Sequence, residues 1–207
     1  MNEMQRNRLS ELVLGDIQFD CPMEQYTTLR LGGRAEAVCF PCTLEMLQQA
    51  VSFLGMENIP YMMVGKGSNL LIRETGFKGV VIILKGDLAT IERDGMNLCL
   101  GAGVSVSALI SYCITNGLTG LEFLAGIPGT VGGAAAMNAG AFDEDTGSMI
   151  SRLYIITTKG EQFRIEKSKI NLKYRSIAVP EGSIIFKVCF KLEEITPVAV
   201  KKKLQGI

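Results

Sequence analysis

One loop combines the residue types that suit an anion. It runs from Val64 to Leu71 and reads Val-Gly-Lys-Gly-Ser-Asn-Leu-Leu. Its glycines let the backbone approach a ligand closely, and successive N–H groups in such a turn form a concave site for negative charge. Lys66 adds a positive charge, while Ser68 and Asn69 add short polar side chains. The loop predicts a phosphate or diphosphate site, with an ordinary strand-to-loop turn as the alternative. Its glycine spacing fits neither a P-loop nor a G-x-G-x-x-G fingerprint.

A second glycine-rich segment follows between Leu121 and Gly140. Residues 126–129 predict a tight turn, and Thr130 then begins a helix made almost entirely of glycine and alanine. Glycine costs about 1 kcal/mol relative to alanine inside a helix, so such a helix favours a broad ligand lying against its backbone. Its N-terminus also offers N–H groups and a positive dipole end to an anion. A tightly packed helix without ligand is the alternative. Together, the two segments indicate a dinucleotide.

The composition is that of an ordinary globular protein. The 207 residues suit one large domain or two small ones. The 21 Lys and Arg balance the 21 Asp and Glu, so nothing indicates a nucleic acid or an anionic membrane surface as partner. Histidine is absent, which removes the commonest general acid–base group and the commonest metal ligand. We therefore predict no metal site and expect the chemistry to come from other side chains or a cofactor.

The N-terminal stretch and the cysteines indicate a compartment. Met1–Gly15 lacks the continuous apolar core of a signal peptide, and the chain has no apolar run of about 18 residues that would cross a membrane. We expect a cytoplasmic protein with its six cysteines reduced. Cys39 and Cys42 form a C-x-x-C, for which a redox or metal role is one interpretation. The other interpretation is structural: Cys39 belongs to the alternating strand, and Cys42 precedes a helix that Thr43 caps.

Hydrophobic periodicity predicts two α+β halves. The first half reads as a helix over residues 3–14, a strand over 35–40, a helix over 44–54, and strands over 61–64 and 80–84. The second half reads as a strand over 97–102, a helix over 106–113 that Gly117 ends, a hairpin around Lys159-Gly160, and an alternating strand over 186–192 with one wet face. The predicted units are the N-terminal helix 1–15, subdomains 16–85 and 86–195, and a final helical segment 196–207.

These motifs together resemble the UDP-N-acetylenolpyruvoylglucosamine reductases, flavoproteins of bacterial peptidoglycan synthesis. The resemblance covers most of residues 16–195 in family order. The matching segments are Thr27-Thr28 with Gly32-Gly33, residues 64–71, Gly120-Leu121-Glu122-Phe123 running into residues 126–134, Asn138-Ala139-Gly140-Ala141, and Tyr174-Arg175-Ser176.

The resemblance implies an α+β FAD-binding fold of the vanillyl-alcohol-oxidase type, in which two α+β subdomains hold non-covalent FAD between them. It implies that both glycine segments line the diphosphate and the isoalloxazine ring. The cofactor-binding residues implied in this way are Gly65, Lys66, Gly67, Ser68, Asn69, Leu70, Gly126, Ile127, Pro128, Gly129, Thr130, Gly132, Gly133, Asn138, Ala139 and Gly140.

The family chemistry implies a catalytic arginine. NADPH reduces FAD, and the flavin then passes a hydride to the enolpyruvyl double bond of a UDP-sugar. Arg175 matches the arginine that binds and polarises the enolpyruvyl carboxylate, a role that suits the fork of a guanidinium. Tyr174 lies beside it in sequence and is the second catalytic candidate. Without the resemblance, Arg175 would read as a surface ion-pair residue.

The chain departs from the family at its C-terminal end. Members continue into a third domain with a serine in a Gly-Ser-x-Phe-Lys-Asn-Pro-like motif and a late glutamate, and neither occurs here. Ser183 follows a glycine but lacks Lys-Asn-Pro after it. We therefore expect a truncated reductase. The alternatives are a non-catalytic FAD-binding module that needs a partner chain or the lost domain, and a related oxidase, which the absence of a histidine for a covalent flavin link disfavours.

Overall fold

The computed structural model describes residues 1–173 and 175–206. In chain order its α-helices are α1 (Glu3–Leu12), α2 (Leu44–Met56), α3 (Val106–Asn116), α4 (Val131–Ala136), α5 (Thr146–Met149) and α6 (Pro197–Gln205). None of the helices in these ranges is long and apolar enough to pass through a lipid bilayer.

The first half of the chain forms a small mixed sheet. Its strands are β1 (Ile17–Pro22), β2 (Arg34–Cys39), β3 (Tyr61–Met63) and β4 (Phe77–Ile82), and they lie in the order β1-β2-β4-β3. β2 and β3 run parallel to β4, whereas β1 is an antiparallel edge strand that the sequence patterns did not predict. Residues 80–82 are buried on both faces, which confirms the first part of the apolar strand predicted over 80–84, but β4 begins at Phe77 and ends at Ile82.

The second half is built on an antiparallel sheet. Its strands are β5 (Ile91–Asp94), β6 (Asn97–Gly101), β7 (Leu118–Thr119), β8 (Gly140–Ala141), β9 (Glu144–Asp145), β10 (Ile150–Ile156), β11 (Gln162–Glu166), β12 (Asn171–Lys173), β13 (Ser176–Ala178), β14 (Ile184–Lys191) and β15 (Glu193–Glu194). The five longer strands pair in the order β11-β10-β14-β6-β5, while β7–β15, β8–β9 and β12–β13 form separate two-stranded ribbons.

Several predicted element ends are confirmed by local capping. The Thr43 and Ser105 side chains accept hydrogen bonds from the first turns of α2 and α3. Gly117 ends α3 in the left-handed conformation, with φ of 65°, a conformation that glycine adopts without steric cost. α2 differs from the prediction because it continues through Gly55 and ends at Met56.

The hydrophobic core joins the two halves. α3 and α4 cover one face of the second sheet. The opposite face of that sheet contributes Ile156, Ile184 and Phe186 to the same cluster as Leu47, Val51 and Val80 of the first half. The two predicted subdomains therefore share buried apolar surface, and the boundaries drawn at residues 85 and 195 stay a prediction.

Two expectations for β14 and its cysteine are wrong. β14 was expected to have one wet face, but Cys189 on that face is fully buried, and only Lys187 and Lys191 reach solvent. Cys189 is moreover joined to Cys99 by a disulfide, which contradicts the expectation that all six cysteines are reduced. The two cysteines are 90 residues apart in sequence, so no local pattern marks them as a pair.

Candidate functional site

The first glycine loop, residues 65–70, follows β3 and presents its backbone to solvent. Gly65, Lys66, Ser68 and Asn69 are exposed, Leu70 is half-buried and Gly67 is buried. Within the described ranges, no backbone N–H of these six residues donates to a protein acceptor. Because backbone N–H groups normally find a partner, a run of open donors beside a lysine suits an anionic ligand.

Gly67 is required by the loop beside it. Its φ is +63°, and a Cβ there would collide with the carbonyl oxygen of Tyr26. The Thr28 N–H donates to the Gly67 carbonyl at 3.1 Å, and the Thr28 hydroxyl donates to that of Lys66 at 3.3 Å. The segment after Tyr26 therefore supports the first glycine loop from one side, and this is where the Thr27-Thr28 match falls.

The second glycine segment, residues 126–140, has open N–H groups in its turn but not in its helix. Among the described residues, no acceptor is recorded for the N–H groups of Gly126, Gly129 and Thr130. The helix α4 is only six residues long. Its first three N–H groups donate to Val104 O at 2.8 Å, to Ala102 O at 2.9 Å and to the Thr130 hydroxyl at 3.3 Å. The expectation of free N–H groups at this helix N-terminus is therefore wrong, and the turn supplies the open donors instead.

The two glycine segments touch each other. The Ser68 hydroxyl donates to the Pro128 carbonyl at 2.6 Å. A Cβ on Gly65 would lie 2.5 Å from the Thr130 hydroxyl, so only glycine lets the two segments approach this closely. Although 60 residues separate Ser68 from Pro128 in sequence, the open N–H groups of both turns border the same contact. This is the arrangement that binding of one diphosphate by both segments requires.

The helix α4 has one buried face and one open face. A Cβ on Gly132 would lie 2.6 Å from the Ala102 side chain, so this glycine serves the packing of α4 against the sheet. Gly133 differs, because it is exposed and a Cβ there would have no protein atom nearer than 3.5 Å. Protein packing explains Gly132, and it leaves Gly133 available to a ligand on the open face.

The end of the second segment is held by its own backbone and by α5. Asn138 has φ of 41° and its side-chain oxygen accepts the Gly147 N–H at 2.8 Å. The Ala139 carbonyl accepts the Thr146 hydroxyl at 2.6 Å, and Gly140 pairs with Asp145 in the β8–β9 ribbon. Asn138 to Gly140 therefore form a fixed wall that continues from α4.

The β12–β13 hairpin places Arg175 beside this wall. β13 packs against α4, and the Leu172 side chain lies against Gly147, next to the Asn138 side-chain oxygen. Arg175 occupies the two-residue loop of the hairpin, is exposed, and has φ of 58°. The second catalytic candidate, Tyr174, lies outside the described residues.

A buried carboxylate, Glu122, lies ahead of the turn at residues 126–129, and the sequence patterns gave it no role of its own. Glu122 is 8% exposed and accepts hydrogen bonds from the Thr119 hydroxyl at 2.5 Å and from the Gly120 N–H at 2.7 Å. The Lys203 ammonium of α6 donates to the Thr119 hydroxyl at 2.7 Å. The signal available in the sequence was that apolar residues, Leu121 and Phe123, flank this glutamate and indicate its burial. A buried carboxylate requires hydrogen-bond partners.

Neither thiol of the C-x-x-C, Cys39 or Cys42, has a lowered pKa that would favour the reactive thiolate. Cys39 is fully buried in β2, and burial raises the pKa of its thiol to about 12. The pKa of Cys42 is also raised, first by burial and then by its hydrogen bond to Asp16. Since the thiolate is the reactive and metal-binding form, this favours the structural interpretation. The described residues also contain no group of three or more Cys, Asp or Glu side chains able to hold a metal ion.

Comparisons with known proteins decide the family. A family model described as "FAD binding domain" matches residues 35–166. Over 207 residues the chain is 36% identical to the UDP-N-acetylenolpyruvoylglucosamine reductase of Geobacter sulfurreducens, a match that covers all of this chain and 68% of that protein. The chain belongs to the UDP-N-acetylenolpyruvoylglucosamine reductase family. The enzyme of that name from Desulfosudis oleivorans is 39% identical over 184 residues, or 86% of this chain and 59% of the relative.

Solved structures support the same assignment. The reductase of this family from Thermus caldophilus superposes with a TM-score of 0.80 at 30% identity, covering 92% of this chain and 66% of that one. A VAO-type flavoprotein from Myceliophthora thermophila superposes with a TM-score of 0.68 at 13% identity, covering 94% of this chain and 48% of that one. The expected α+β FAD-binding fold is confirmed. The chain spans about three fifths of the length of some of these reductases, as the 59% coverage shows.

Proposed function

We propose that this chain is the FAD-binding part of an NADPH-dependent reductase. The reductase reduces the enolpyruvyl double bond of a UDP-sugar and gives UDP-N-acetylmuramate. The observation that supports this proposal is the contact between the two glycine segments at the Ser68–Pro128 hydrogen bond, with open backbone N–H groups in both of the turns that make it. Bound FAD supplies a ring that accepts and donates a hydride. We also propose a cytoplasmic location, because the reaction uses NADPH to reduce a cell-wall precursor.

The protein's own groups divide into binding and orienting roles. The N–H groups of residues 65–70, with those of Gly126, Gly129 and Thr130, would bind the FAD diphosphate, and Lys66 would add a positive charge. The open face of α4 and the wall from Asn138 to Gly140 would lie against the flavin. Because most of these groups are backbone N–H groups and backbone segments that the fold already fixes, they need little reorganisation when the ligand binds.

The guanidinium of Arg175 would bind the enolpyruvyl carboxylate. A guanidinium donates two parallel hydrogen bonds to a carboxylate, and these strengthen as negative charge develops next to the carboxylate. Arg175 is exposed on a hairpin that packs beside Asn138, at the same edge as the proposed flavin wall. Tyr174, as its sequence neighbour, stays a catalytic proposal.

A second candidate function follows from the 59% coverage of the Desulfosudis relative. The residues that would complete the UDP-sugar site belong to the part of the family sequence that this chain does not span. The chain would then hold FAD as a module, and turnover would need the rest of the family sequence, supplied by a further domain or by a partner chain.

Flavin content and two half-reactions test both candidates. We expect purified protein to be yellow and to release FAD, identified by chromatography, on denaturation. NADPH should bleach the flavin anaerobically. Re-oxidation on adding the UDP-enolpyruvyl sugar identifies a reductase, whereas bleaching without re-oxidation identifies the module. Colourless protein that takes up no FAD on reconstitution would contradict both.

A further inference from the structure

Cys99 and Cys189 face each other across the second sheet. They occupy directly opposed positions on β6 and β14, with their Cα atoms 4.0 Å apart, and are joined by a disulfide. Their neighbours Leu98, Leu100 and Val188 point into the core under α3 and α4. Because side chains alternate along a strand, the disulfide lies on the opposite face of the sheet. We propose that this pair is a reversible dithiol–disulfide site that controls the stability of the FAD-binding fold.

Charged residues flank the pair in one transverse row. Arg152 of β10 is directly opposite Cys189, and Glu92 of β5 is directly opposite Cys99. Directly opposed residues have their Cβ atoms about 4.5 to 5.5 Å apart, so the guanidinium can reach the Cys189 sulfur. Lys187, two residues before Cys189 on the same face, is paired with Glu92 at 2.6 Å. Arg152 is thus the cation directly opposite Cys189. Glu166 of β11 lies on the other side of Arg152 and is ion-paired with Arg164 at 2.7 Å.

A β-bulge sets this register. Ile150 pairs with Phe190 and Arg152 pairs with Cys189, which makes Ser151 the extra residue on β10. The Ser151 hydroxyl donates to the Cys189 carbonyl at 3.0 Å and holds the bulge to β14. Bulges commonly redirect a side chain beside a functional site. If the Ile150–Phe190 register continued without the bulge, Ser151 would lie opposite Cys189, so the extra residue is what places Arg152 there.

The arrangement favours one direction of attack. Cys99 is half-buried, whereas Cys189 is fully buried, so a small thiol reaches the Cys99 sulfur first. The attacking thiolate forms a mixed disulfide with Cys99, and the electron pair of the broken bond leaves on Cys189. Arg152 stabilises that leaving thiolate, and a more stable thiolate leaves faster.

A second thiolate completes the reduction. It attacks the small-thiol sulfur of the mixed disulfide, so Cys99 leaves as a thiolate and both cysteine sulfurs are then protonated. The balance is one protein disulfide and two small thiols giving two cysteine thiols and one small disulfide. The reverse reaction needs a low-molecular-weight disulfide, such as glutathione disulfide, as oxidant.

The other cysteines lack this environment. Cys21, Cys39 and Cys113 are buried, and the pKa values of all three are raised by burial, those of Cys39 and Cys113 to about 12. Cys42 is the half-buried exception, and its pKa is raised as well. Redox chemistry is therefore expected at the pair on β6 and β14, rather than at the C-x-x-C that the sequence suggested.

The cross-link encloses much of the proposed flavin site. The 90-residue separation between its cysteines spans the second glycine segment and the Arg175 hairpin. A disulfide stabilises chiefly by restricting the unfolded chain, and more so for long loops. Opening it should lower the melting temperature by about 10 °C. FAD would then be released at a lower temperature from the reduced protein.

The first experiment identifies the pair. Protein equilibrated with glutathione disulfide is quenched in acid, unfolded without reductant, alkylated and analysed by mass spectrometry. We expect four alkyl groups per chain and a peptide that links Cys99 to Cys189, and six alkyl groups after equilibration with excess reduced glutathione. Six alkyl groups under both conditions would overturn the proposal.

The second experiment tests the reactivity and the consequence. Arg152→Gln should slow reduction by dithiothreitol by roughly 3- to 30-fold, whereas the control Arg8→Gln, an exposed ion-pair residue on α1, should not. Reductant should lower the melting temperature of the wild type but not that of the Cys99→Ala/Cys189→Ala variant. Equal rates for the two arginine variants, or an equal melting shift with and without the cysteines, would show that the site has no such role.

Discussion

Arg175 is the residue on which the substrate half of the proposal depends. It lies in the left-handed region at φ of 58°, a conformation that costs a non-glycine residue roughly 1–2 kcal/mol. Arg175 lies directly before β13, at the end of the β12–β13 ribbon where Lys173 pairs with Ser176. A residue kept in a strained turn on an exposed hairpin is a candidate for function.

Arg175→Ala should separate substrate binding from flavin binding. We expect unchanged FAD content, and binding of the UDP-enolpyruvyl sugar weakened roughly 10- to 100-fold, since a hydrogen bond to a charged group contributes about 1.5–3 kcal/mol. Binding is measured by the change that the sugar causes in flavin absorbance, which needs no turnover. Arg8→Ala, an exposed ion-pair residue on α1, is the matched control. Loss of flavin from Arg175→Ala would mean that the residue is structural.

At the scale of single elements, α4 shows how a poor helix is retained. It contains two glycines in six residues and is stabilised by the Thr130 cap and by the carbonyls of Ala102 and Val104, which lie between β6 and α3. Gly132 is needed for close packing against Ala102, but no protein neighbour requires Gly133. A ligand against the open face is the remaining physical reason for glycine at that position.

Gly133→Ala should have opposite effects on the fold and on the cofactor. The protein without flavin should gain up to about 1 kcal/mol, since alanine is the better helix former. FAD affinity should fall roughly 5- to 100-fold, because an added methyl in a tight contact costs about 1–3 kcal/mol. Urea unfolding and flavin titration measure the two effects. Gly206→Ala is the control, a glycine after α6 with an ordinary φ of −94°. Unchanged affinity would mean that the flavin does not lie against α4.

At the scale of the whole molecule, the two halves share one hydrophobic cluster. Phe186 of the second sheet is 6% exposed and belongs to the cluster that contains Leu47 and Val51 of α2. Its ring also contacts that of Tyr154, with 6.0 Å between ring centroids. The packing of Phe186 with α2 crosses the proposed subdomain boundary, so unfolding one half exposes core residues of the other.

Phe186→Ala should destabilise both halves together. We expect a loss of about 3–5 kcal/mol in the free energy of unfolding, typical of a buried phenylalanine, and a single transition seen alike by far-ultraviolet circular dichroism and tyrosine fluorescence. Phe163→Ala is the matched control, because that ring is 50% exposed and its loss should cost far less. Two separate transitions would show that the halves fold independently.

The amino-acid sequence alone determined the fold class, both glycine segments and the family. Glycine-rich turns, helix caps such as Thr43 and the apolar run at residues 80–84 can be recognised from neighbouring residues in the sequence. The β1 edge strand was missed because it is held by pairing with β2 more than by its own pattern.

Only the tertiary structure decided which distant groups meet. The Ser68–Pro128 contact, the acceptors of the first α4 N–H groups and the Cys99–Cys189 disulfide each join parts of the chain that sequence spacing does not relate. The physical reason is that hydrogen bonds and disulfides depend on distances of a few ångströms between atoms. Such distances follow from how the two sheets pack, and no local preference of the chain specifies them.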